Sequence, residues 1–267
     1  MKPTNLPLGK DTDYPQNYAP ELLCPIARRD GRDRLGLDAS LPFTGVDTWH
    51  AWELTWLGPT GVPRVATARF DVPATSPNLV ESKSLKLYLG SFAMTRFATP
   101  ADVARAIETD LAGSAGAPVA VTLNPASSVT RLEGRNIDGL ELECEYAGVD
   151  ASILAADSGD LVEETLNTHL LRSLCPVTGQ PDMGSLLVSY AGPRIDAASL
   201  LRYVVSYRQH EDFHEACVER MFVDILAHCR PAGLTVCACY QRRGGIDINP
   251  FRTNANKLPR DRRLWRQ

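Results

Sequence analysis

The chain has 267 residues, a formal net charge of −4 and a pI near 5.8. This length suits one large domain or two modest ones, and the mild acidity provides no field to hold a polyanion, so we expect a small-molecule ligand rather than a nucleic acid. No run approaches the roughly 18 apolar residues of a membrane span, and no apolar leader opens the chain. We therefore expect a cytoplasmic protein with no membrane partner.

The seven cysteines favour reduced thiols over a disulfide framework, because their number is odd, their spacing is irregular and no signal peptide precedes them. Cys237 and Cys239 form a C-x-C within an alternating, strand-like segment. No second pair follows at zinc-site spacing, so we predict packed thiols and no metal. The sequence also lacks G-x-G-x-x-G and G-x-x-x-x-G-K-[ST], so a nucleotide cofactor would not bind on a Rossmann fingerprint.

Residues 1–47 are rich in Pro, Gly, Asp and Arg, which predicts an arm lying against the rest of the chain. From residue 48 the pattern sharpens. Alternation in "WHAWELTWLG" and "PRVATARFDVP" predicts a hairpin, and a spacing near 3.6 in "SKSLKLYLGSFAMTRF" and "PADVARAIETDLAG" predicts two helices, the second starting at Pro100. Strand character returns in "PVAVTL" and "LELECEYA". This first module would extend to residue 150.

Residues 151–267 repeat that order. The segments "TLNTHLLRSL" and "GSLLVSYAG" predict strands, "DAASLLRYVVSYRQH" and "FHEACVERMFVDILAHC" predict helices, and "GLTVCACYQRR" and "GIDINPF" predict closing strands. Residues 77–88 align without a gap on 193–204, with Pro over Pro. The sequence therefore predicts an α+β fold of two tandem ββααββ modules. Each module would be an antiparallel sheet with both helices on one face, and its open edges favour a homo-oligomer, most simply a two-fold homodimer in which four modules complete a ring or barrel.

The segment "LCPVTGQPD" contains a candidate nucleophile, Cys175, and a candidate proton donor or acceptor, Asp182. Cysteines are most often buried apolar residues, but a turn rich in Pro and Gly favours an exposed position. We therefore expect Cys175 in an exposed turn, where it could act on a substrate.

Two helix starts allow both a structural and a functional interpretation. In "ESKSLKLY", Glu81, Lys83 and Lys86 could be a solvated helix start, or Ser82 and Lys83 could hold a phosphate at the helix N-terminus. In "HEDFHEACVER", His214 and Glu215 could be an exposed helix start, or groups for proton transfer and for binding the amino-imino edge of a purine-like base.

The segment "QRRGGIDINPFR" also has two interpretations. Arg243 and Gly244 could belong to a solvated turn, or Arg243 could bind a phosphate bidentately beside the flexible glycine.

Six stretches together resemble one family: "LPFTGVDTWHAWELTWL", "SPNLVESKSLKLYLGSF", "CPVTGQPDMGSL", "FHEACVERMF", "RRGGIDINPFR" and the terminal "RQ". They are similar to the NADPH-dependent 7-cyano-7-deazaguanine reductases, the nitrile reductases of queuosine biosynthesis, in their longer two-module type. The resemblance covers nearly the whole chain. It implies tunnelling-fold modules and reduction of the nitrile to 7-aminomethyl-7-deazaguanine, with NADPH as cofactor.

The resemblance also implies roles for named residues. Cys175 would be the nucleophile and Asp182 the proton donor. The deazaguanine would be bound by Val80, Glu81, Ser82, His214 and Glu215. NADPH would be bound by Ser82, Lys83, Arg243 and Gly244.

Two other interpretations stay open. A zinc-dependent tunnelling-fold hydrolase of the GTP cyclohydrolase type would share the module and the purine-binding glutamate but would require a metal. A non-catalytic assembly module would leave NADPH unchanged in the presence of the nitrile.

Overall fold

The computed structural model describes residues 14–15, 17–144 and 148–267. They form a mixed α+β fold with two compact units. Of the described residues, the first unit takes in those up to 34 together with 47–126 and 242–248, and the second takes in those within 35–46, 127–241 and 249–267. The boundaries of the repeated module that the sequence predicts, at residues 47 and 150, stay a prediction.

The first unit packs helices against a small sheet. Its elements are β1 (Pro25–Ala27), α1 (Arg29–Arg34), β2 (Thr44–Leu57), β3 (Pro63–Pro73), β4 (Asn78–Val80), α2 (Ser82–Gly90), α3 (Pro100–Ala115) and β5 (Ala120–Leu123). The strand order is β5-β3-β2, and β1 pairs antiparallel with β4. Side chains from the sheet, α2 and α3 form one apolar core, which includes Leu54, Phe70, Tyr88, Phe92 and Ile107.

The two predicted helices of this unit, α2 and α3, start where the sequence predicts, but α2 ends early. α3 begins with Pro100 behind the N-cap Thr99, and the side chains of Thr99 and Asp102 each accept a bond from the other's backbone N–H. α2 was expected to continue to Phe97 and ends at Gly90. The reason is a competing pairing, because Leu57 donates its N–H to Thr95 and accepts one from Phe97. Residues 95–97 are thereby held along the end of β2.

The second unit has the longer strands. Its elements are β6 (Val129–Thr130), β7 (Arg135–Asn136), β8 (Ala156–Leu174), β9 (Pro181–Ile195), α4 (Ala197–Ser206), α5 (His214–Cys229), β10 (Gly233–Tyr240), β11 (Ile246–Thr253) and β12 (Arg263–Leu264). The first three residues of β11 belong to the first unit. The strand order is β11-β10-β9-β8-β7, antiparallel except that β7 runs parallel to β8. The predicted order of two strands, two helices and two strands is confirmed here.

The strand predicted at residues 140–147 is wrong for its described part. Residues 140–144 are irregular, and residues 145–147 lie outside the described residues. Leu142 and Cys144 are half-buried against the core of the second unit. The alternation of apolar and polar residues in this segment therefore reflects an irregular segment that packs against the core, not a strand.

Matched hydrogen bonds in the two units support the duplication. The backbone N–H of Glu81 donates to Cys24 at 2.9 Å, and that of Asp196 donates to Ala155 at 2.9 Å. The equivalent pairs are Glu81 with Asp196, Ser84 with Ser199, Tyr88 with Tyr203, and Asp110 with Asp224. Ser84 and Ser199 accept bonds from the backbone of Cys24 and Ala155, and each tyrosine donates to its unit's aspartate.

The first of these pairs corrects the alignment of residues 77–88 with 193–204. Glu81 corresponds to Asp196, whereas the ungapped alignment sets it over Ala197. The two aligned prolines are not structural equivalents, because Pro193 lies in β9 and Pro77 lies in the loop before β4. The repeat is therefore present at this helix, but its equivalent residues are shifted by one position from the alignment that the sequence predicts.

Within the described residues, no helix is both long enough and apolar enough to cross a membrane.

Candidate active site

The turn between β8 and β9 contains Cys175. Its N–H donates to Gln180 and its carbonyl accepts from Gly179, both at 2.9 Å, and Gly179 takes a φ of +68° that suits glycine. The tip of this turn, residues 178–180, is exposed, but Cys175 itself is only 6% exposed. The expectation of an exposed cysteine is therefore wrong. The thiol lies at the base of the turn, where the strands still pair.

Asp182 lies on the strand opposite Cys175. It pairs with Ser173 in the antiparallel register, and Cys175 is two positions beyond Ser173. Directly opposed and alternate residues of an antiparallel pair share one face, so Cys175, Ser173 and Asp182 lie on the same face. Asp182 is 3% exposed. The hairpin thus provides a buried thiol and a buried carboxyl as diagonal neighbours.

The segment before α5 adds a histidine to this pair. Leu174 donates its N–H to His210 at 2.8 Å and accepts one from Asp212 at 3.1 Å, which fixes the start of α5 at the end of β8. Nε2 of His214 then lies 3.2 Å from Oδ2 of Asp182. The histidine ring stacks on Tyr240, with 3.8 Å between ring centroids.

The interpretation of this helix start as exposed is also wrong. Glu215 is 4% exposed, and His214 retains only 12% exposure of its side chain. A carboxylate in the first turn of a helix is stabilised by the macrodipole, which offsets part of its cost of burial. Both residues therefore lie in the interior of the second unit.

Sequence reasoning missed two buried groups beside the pair. Tyr240 ends β10 beneath His214, and Cys217 lies one turn along α5. Burial raises the pKa of Cys217 well above its ordinary value, and the nearby carboxylate of Asp212 adds to the rise. Cys217 is thus held as a neutral thiol. Cys217 follows His214 by three residues, and this helical spacing could have indicated that the two lie close together.

In the first unit, Glu81 caps its own helix. Its carboxylate accepts the backbone N–H groups of Lys83 and Ser84, each at 2.8 Å, and it is 1% exposed. Burial raises the pKa of Glu81, while these two N–H groups and Ser82 act in the opposite direction. The solvated interpretation is wrong for Glu81 but fits Lys86, which is exposed, and Ser82 beside the cap is exposed as well. Val80, at the end of β4, is buried.

The segment with Arg243 and Gly244 forms a tight turn. Arg243 and Ile246 exchange two backbone bonds of 2.8 and 3.1 Å, and Gly244 and Gly245 have φ values of +56° and +83°. Positive φ at both central residues defines a type I′ turn, which suits glycine. A Cβ atom on Gly244 would overlap Nζ of Lys86, so the α2 lysine lies directly against the turn. Sequence reasoning did not assign Lys86 to the site.

The proposed site residues thus form two groups, one in each unit. The second unit contains Cys175, Asp182, His214 and Glu215. The first unit contains Val80, Glu81, Ser82, Lys83, Arg243 and Gly244. Among the described residues, no cluster of three or more His, Cys, Asp and Glu side chains could hold a metal ion.

Two family models match the chain. The model described as "Nitrile reductase, 7-cyano-7-deazaguanine-reductase N-term" covers residues 14–123, and one described as "QueF-like protein" covers residues 181–258. The chain belongs to this family. Proteins from Paraburkholderia phytofirmans and Burkholderia pseudomallei are each 51% identical, with all of both chains covered, and one from Paraburkholderia phymatum is 50% identical. All three are named NADPH-dependent 7-cyano-7-deazaguanine reductase.

Among solved structures, the apo form of an archaeosine synthase, QueF-Like, is 21% identical and has a TM-score of 0.32. It matches 37% of this chain and 96% of its own.

Proposed function

We propose that the chain is an NADPH-dependent reductase that converts the nitrile 7-cyano-7-deazaguanine to the primary amine in queuosine biosynthesis. The full-length relatives carry that name. The observation that carries the proposal is the buried hairpin face with Cys175 and Asp182, together with His214 at 3.2 Å from the carboxyl. A thiol beside an acid–base pair suits addition to a carbon–nitrogen multiple bond.

Cys175 is the nucleophile of this reaction. The Cys175 thiolate forms a bond to the nitrile carbon while one π bond of the nitrile opens, and the nitrogen takes a proton from Asp182 to give a thioimide. His214, whose Nε2 lies 3.2 Å from Oδ2 of Asp182, holds the carboxyl in place and can return a proton to it, so that Asp182 can also supply the second proton that the amine nitrogen needs. NADPH, when bound, supplies hydride to the carbon in two successive reductions. Between these reductions the carbon–sulfur bond breaks, and the Cys175 thiolate is regenerated.

Substrate binding uses acceptor and apolar groups. We assign it to Val80, Glu81, Ser82, His214 and Glu215. The carboxylates of Glu81 and Glu215 accept hydrogen bonds only, which suits the donor-rich amino-imino edge of a deazaguanine. In the helix cap each Glu81 oxygen accepts one backbone N–H, and a carboxylate has about four lone-pair sites. Capacity therefore remains for the base.

Cofactor binding uses cations around the two-glycine turn. We assign it to Ser82, Lys83, Arg243 and Gly244, and the contact with Gly244 adds Lys86. Lysine and arginine suit the phosphates of NADPH, including its 2′-phosphate, and a glycine turn lets the ligand approach the backbone closely. We also propose that the enzyme works as a cytoplasmic homodimer.

The test is NADPH oxidation by the purified chain with 7-cyano-7-deazaguanine, followed by the intact mass of the protein incubated with the nitrile alone. We expect two NADPH oxidised per amine formed, lower efficiency with NADH, and a covalent adduct of substrate mass. Cys175→Ala should lose both turnover and adduct. Turnover that requires stoichiometric zinc, or unchanged NADPH absorbance, would overturn the proposal.

A further inference from the structure

Strand β2 contacts the turn that we assign to NADPH. The backbone N–H of Trp52 donates to the carbonyl of Gly245 at 2.9 Å. The two central residues of the turn are both glycine and have no side chains to hold its conformation. Glycine also loses more conformational freedom on folding than any other residue. The position of the turn must therefore be set by its neighbours.

The main neighbour is a cluster formed by the buried His50 and Asp247 and the half-buried Trp52. Nδ1 of His50 lies 2.8 Å from Oδ1 of Asp247, and Nε1 of Trp52 donates to Oδ2 at 2.6 Å. The Asp247 side chain is fully buried and that of His50 is 5% exposed. A buried carboxylate is costly unless it is paired, so this cluster strongly favours one arrangement. Asp247 directly follows Ile246, the last residue of the turn.

The pattern of β2 changes at the same place. Trp49 and Ala51 point into the apolar core, and beyond them Leu54 and Trp56 do so. The alternation therefore shifts by one residue near Trp52. Strand β2 breaks its alternation where its backbone bonds to the turn. This part of the strand is therefore adapted to the turn contact and not to core packing alone.

We propose that His50, Trp52 and Asp247 are positioning residues that hold the Arg243–Ile246 turn in its NADPH-binding conformation. The inference rests on the proposed function, because it takes Arg243 and Gly244 as cofactor ligands. We assign none of the three a contact with the substrate or the cofactor. Their loss should weaken NADPH binding and leave the covalent step, which needs no cofactor, intact.

The test compares two substitutions with a matched control. His50→Phe keeps a ring beside Trp52 and removes the bond to Asp247, whereas Trp52→Phe removes the indole donor. Each should raise KM for NADPH about tenfold with kcat changed less than about threefold, the pattern expected when cofactor binding alone is weakened. The rate of adduct formation without NADPH should stay within about twofold of the parent rate, since no cofactor takes part.

The control is Thr48→Val. Thr48 lies on the same strand and donates to Asp71 at 2.7 Å, away from the turn. It should lower thermal stability without changing KM for NADPH. His50→Asn, whose amide can donate where Nδ1 does, should recover part of the cofactor affinity lost in His50→Phe.

Equal changes in KM for His50→Phe and Thr48→Val would overturn the inference, as would an unchanged KM in both test variants. If one test variant does not fold, the other decides. NADPH binding is also measured directly by fluorescence titration. A parent chain that binds NADPH but does not reduce the nitrile would overturn the proposed function, and the binding constants would still test the positioning role.

Discussion

Glu81 has one observed and one proposed role, and both draw on the acceptor capacity of its carboxylate. As a helix cap it is buried and accepts two backbone N–H groups, and as a proposed base ligand it must offer acceptor capacity to a substrate. Burial raises its pKa, so the ionised form that best serves both roles carries a cost in the folded state.

Glu81→Gln removes this titration and should change the pH dependence of stability. A group with a raised folded-state pKa binds its proton more tightly in the folded chain. Its contribution to stability is fully present below the unfolded pKa of 4.5 and is lost as pH rises through the folded value. The free energy of unfolding of the parent, relative to Glu81→Gln, should therefore fall as pH rises above 4.5. Urea denaturation of both proteins from pH 4 to 8 measures this difference.

The lost cap bond adds a constant offset between the two proteins, so only the trend with pH is diagnostic. A parent that gains stability relative to the variant as pH rises would contradict this account of Glu81. In the same variant, substrate affinity should fall about ten- to one-hundredfold, because a hydrogen bond to a charged acceptor contributes about 1.5–3 kcal/mol.

Asp182→Asn tests the proton donor separately from the nucleophile. Asparagine keeps the size of the side chain and cannot supply the proton that the nitrile nitrogen needs. Adduct formation and turnover should both slow by roughly a hundred- to ten-thousandfold, the usual magnitude of a general-acid contribution. Rapid-quench mass spectrometry without NADPH measures the first step. Cys175 remains in this variant, so some adduct should form slowly, and full-rate turnover would show that another group donates the proton.

At the scale of elements, the turn at Gly244 links conformation to cofactor binding. Gly244 and Gly245 both have positive φ, but only Gly244 has a side chain against it, that of Lys86. Alanine at either position should cost about 1 kcal/mol or more of stability from backbone strain. Gly244→Ala should also displace Lys86 and raise KM for NADPH several-fold.

Gly245→Ala is the matched control, because nothing lies within 4 Å of the Cβ it would add. Chemical denaturation should give similar losses for the two variants, with an altered KM in Gly244→Ala alone. Equal KM values in the two alanine variants would separate Lys86 from cofactor binding.

The elements show what the sequence could and could not predict. Period and capping residues located the long helices and strands, and the helix start at Pro100 was confirmed. The sequence pattern gave wrong predictions at two places where tertiary contacts set the structure. At the end of α2, residues 95–97 pair with Leu57, and at residues 140–144 an irregular segment packs on the core.

The site, too, could be predicted from the sequence only in part. The residue types and their spacing pointed to Cys175 and Asp182, but the burial of Cys175, His214 and Glu215 did not follow from them. Burial depends on the pairing of the β8–β9 hairpin with the segment before α5, and these contacts are distant in sequence. Lys86 was missed for a similar reason, because its contact with Gly244 joins α2 to a turn more than 150 residues away.

At the scale of the whole molecule, strand β8 presents an edge that could pair with a second copy. β9 covers one side of β8, and β7 pairs with the other side only at Leu166 and Asn167. Within the part of the chain that the structure describes, no strand pairs with that side of β8 between residues 157 and 163. Leu161, in this stretch, is 72% exposed. Unpaired strand edges with apolar side chains favour association between chains.

We therefore expect the protein to be a homodimer that uses this edge of β8. Light scattering should give about twice the 29.2 kDa mass of one chain. Leu161→Lys should shift the equilibrium toward monomer, because a lysine on an edge strand disfavours pairing with another chain. Leu258→Lys is the control, since Leu258 is 85% exposed and lies outside any strand. A monomeric parent would contradict the dimer, and equal dissociation in both variants would move the interface away from β8.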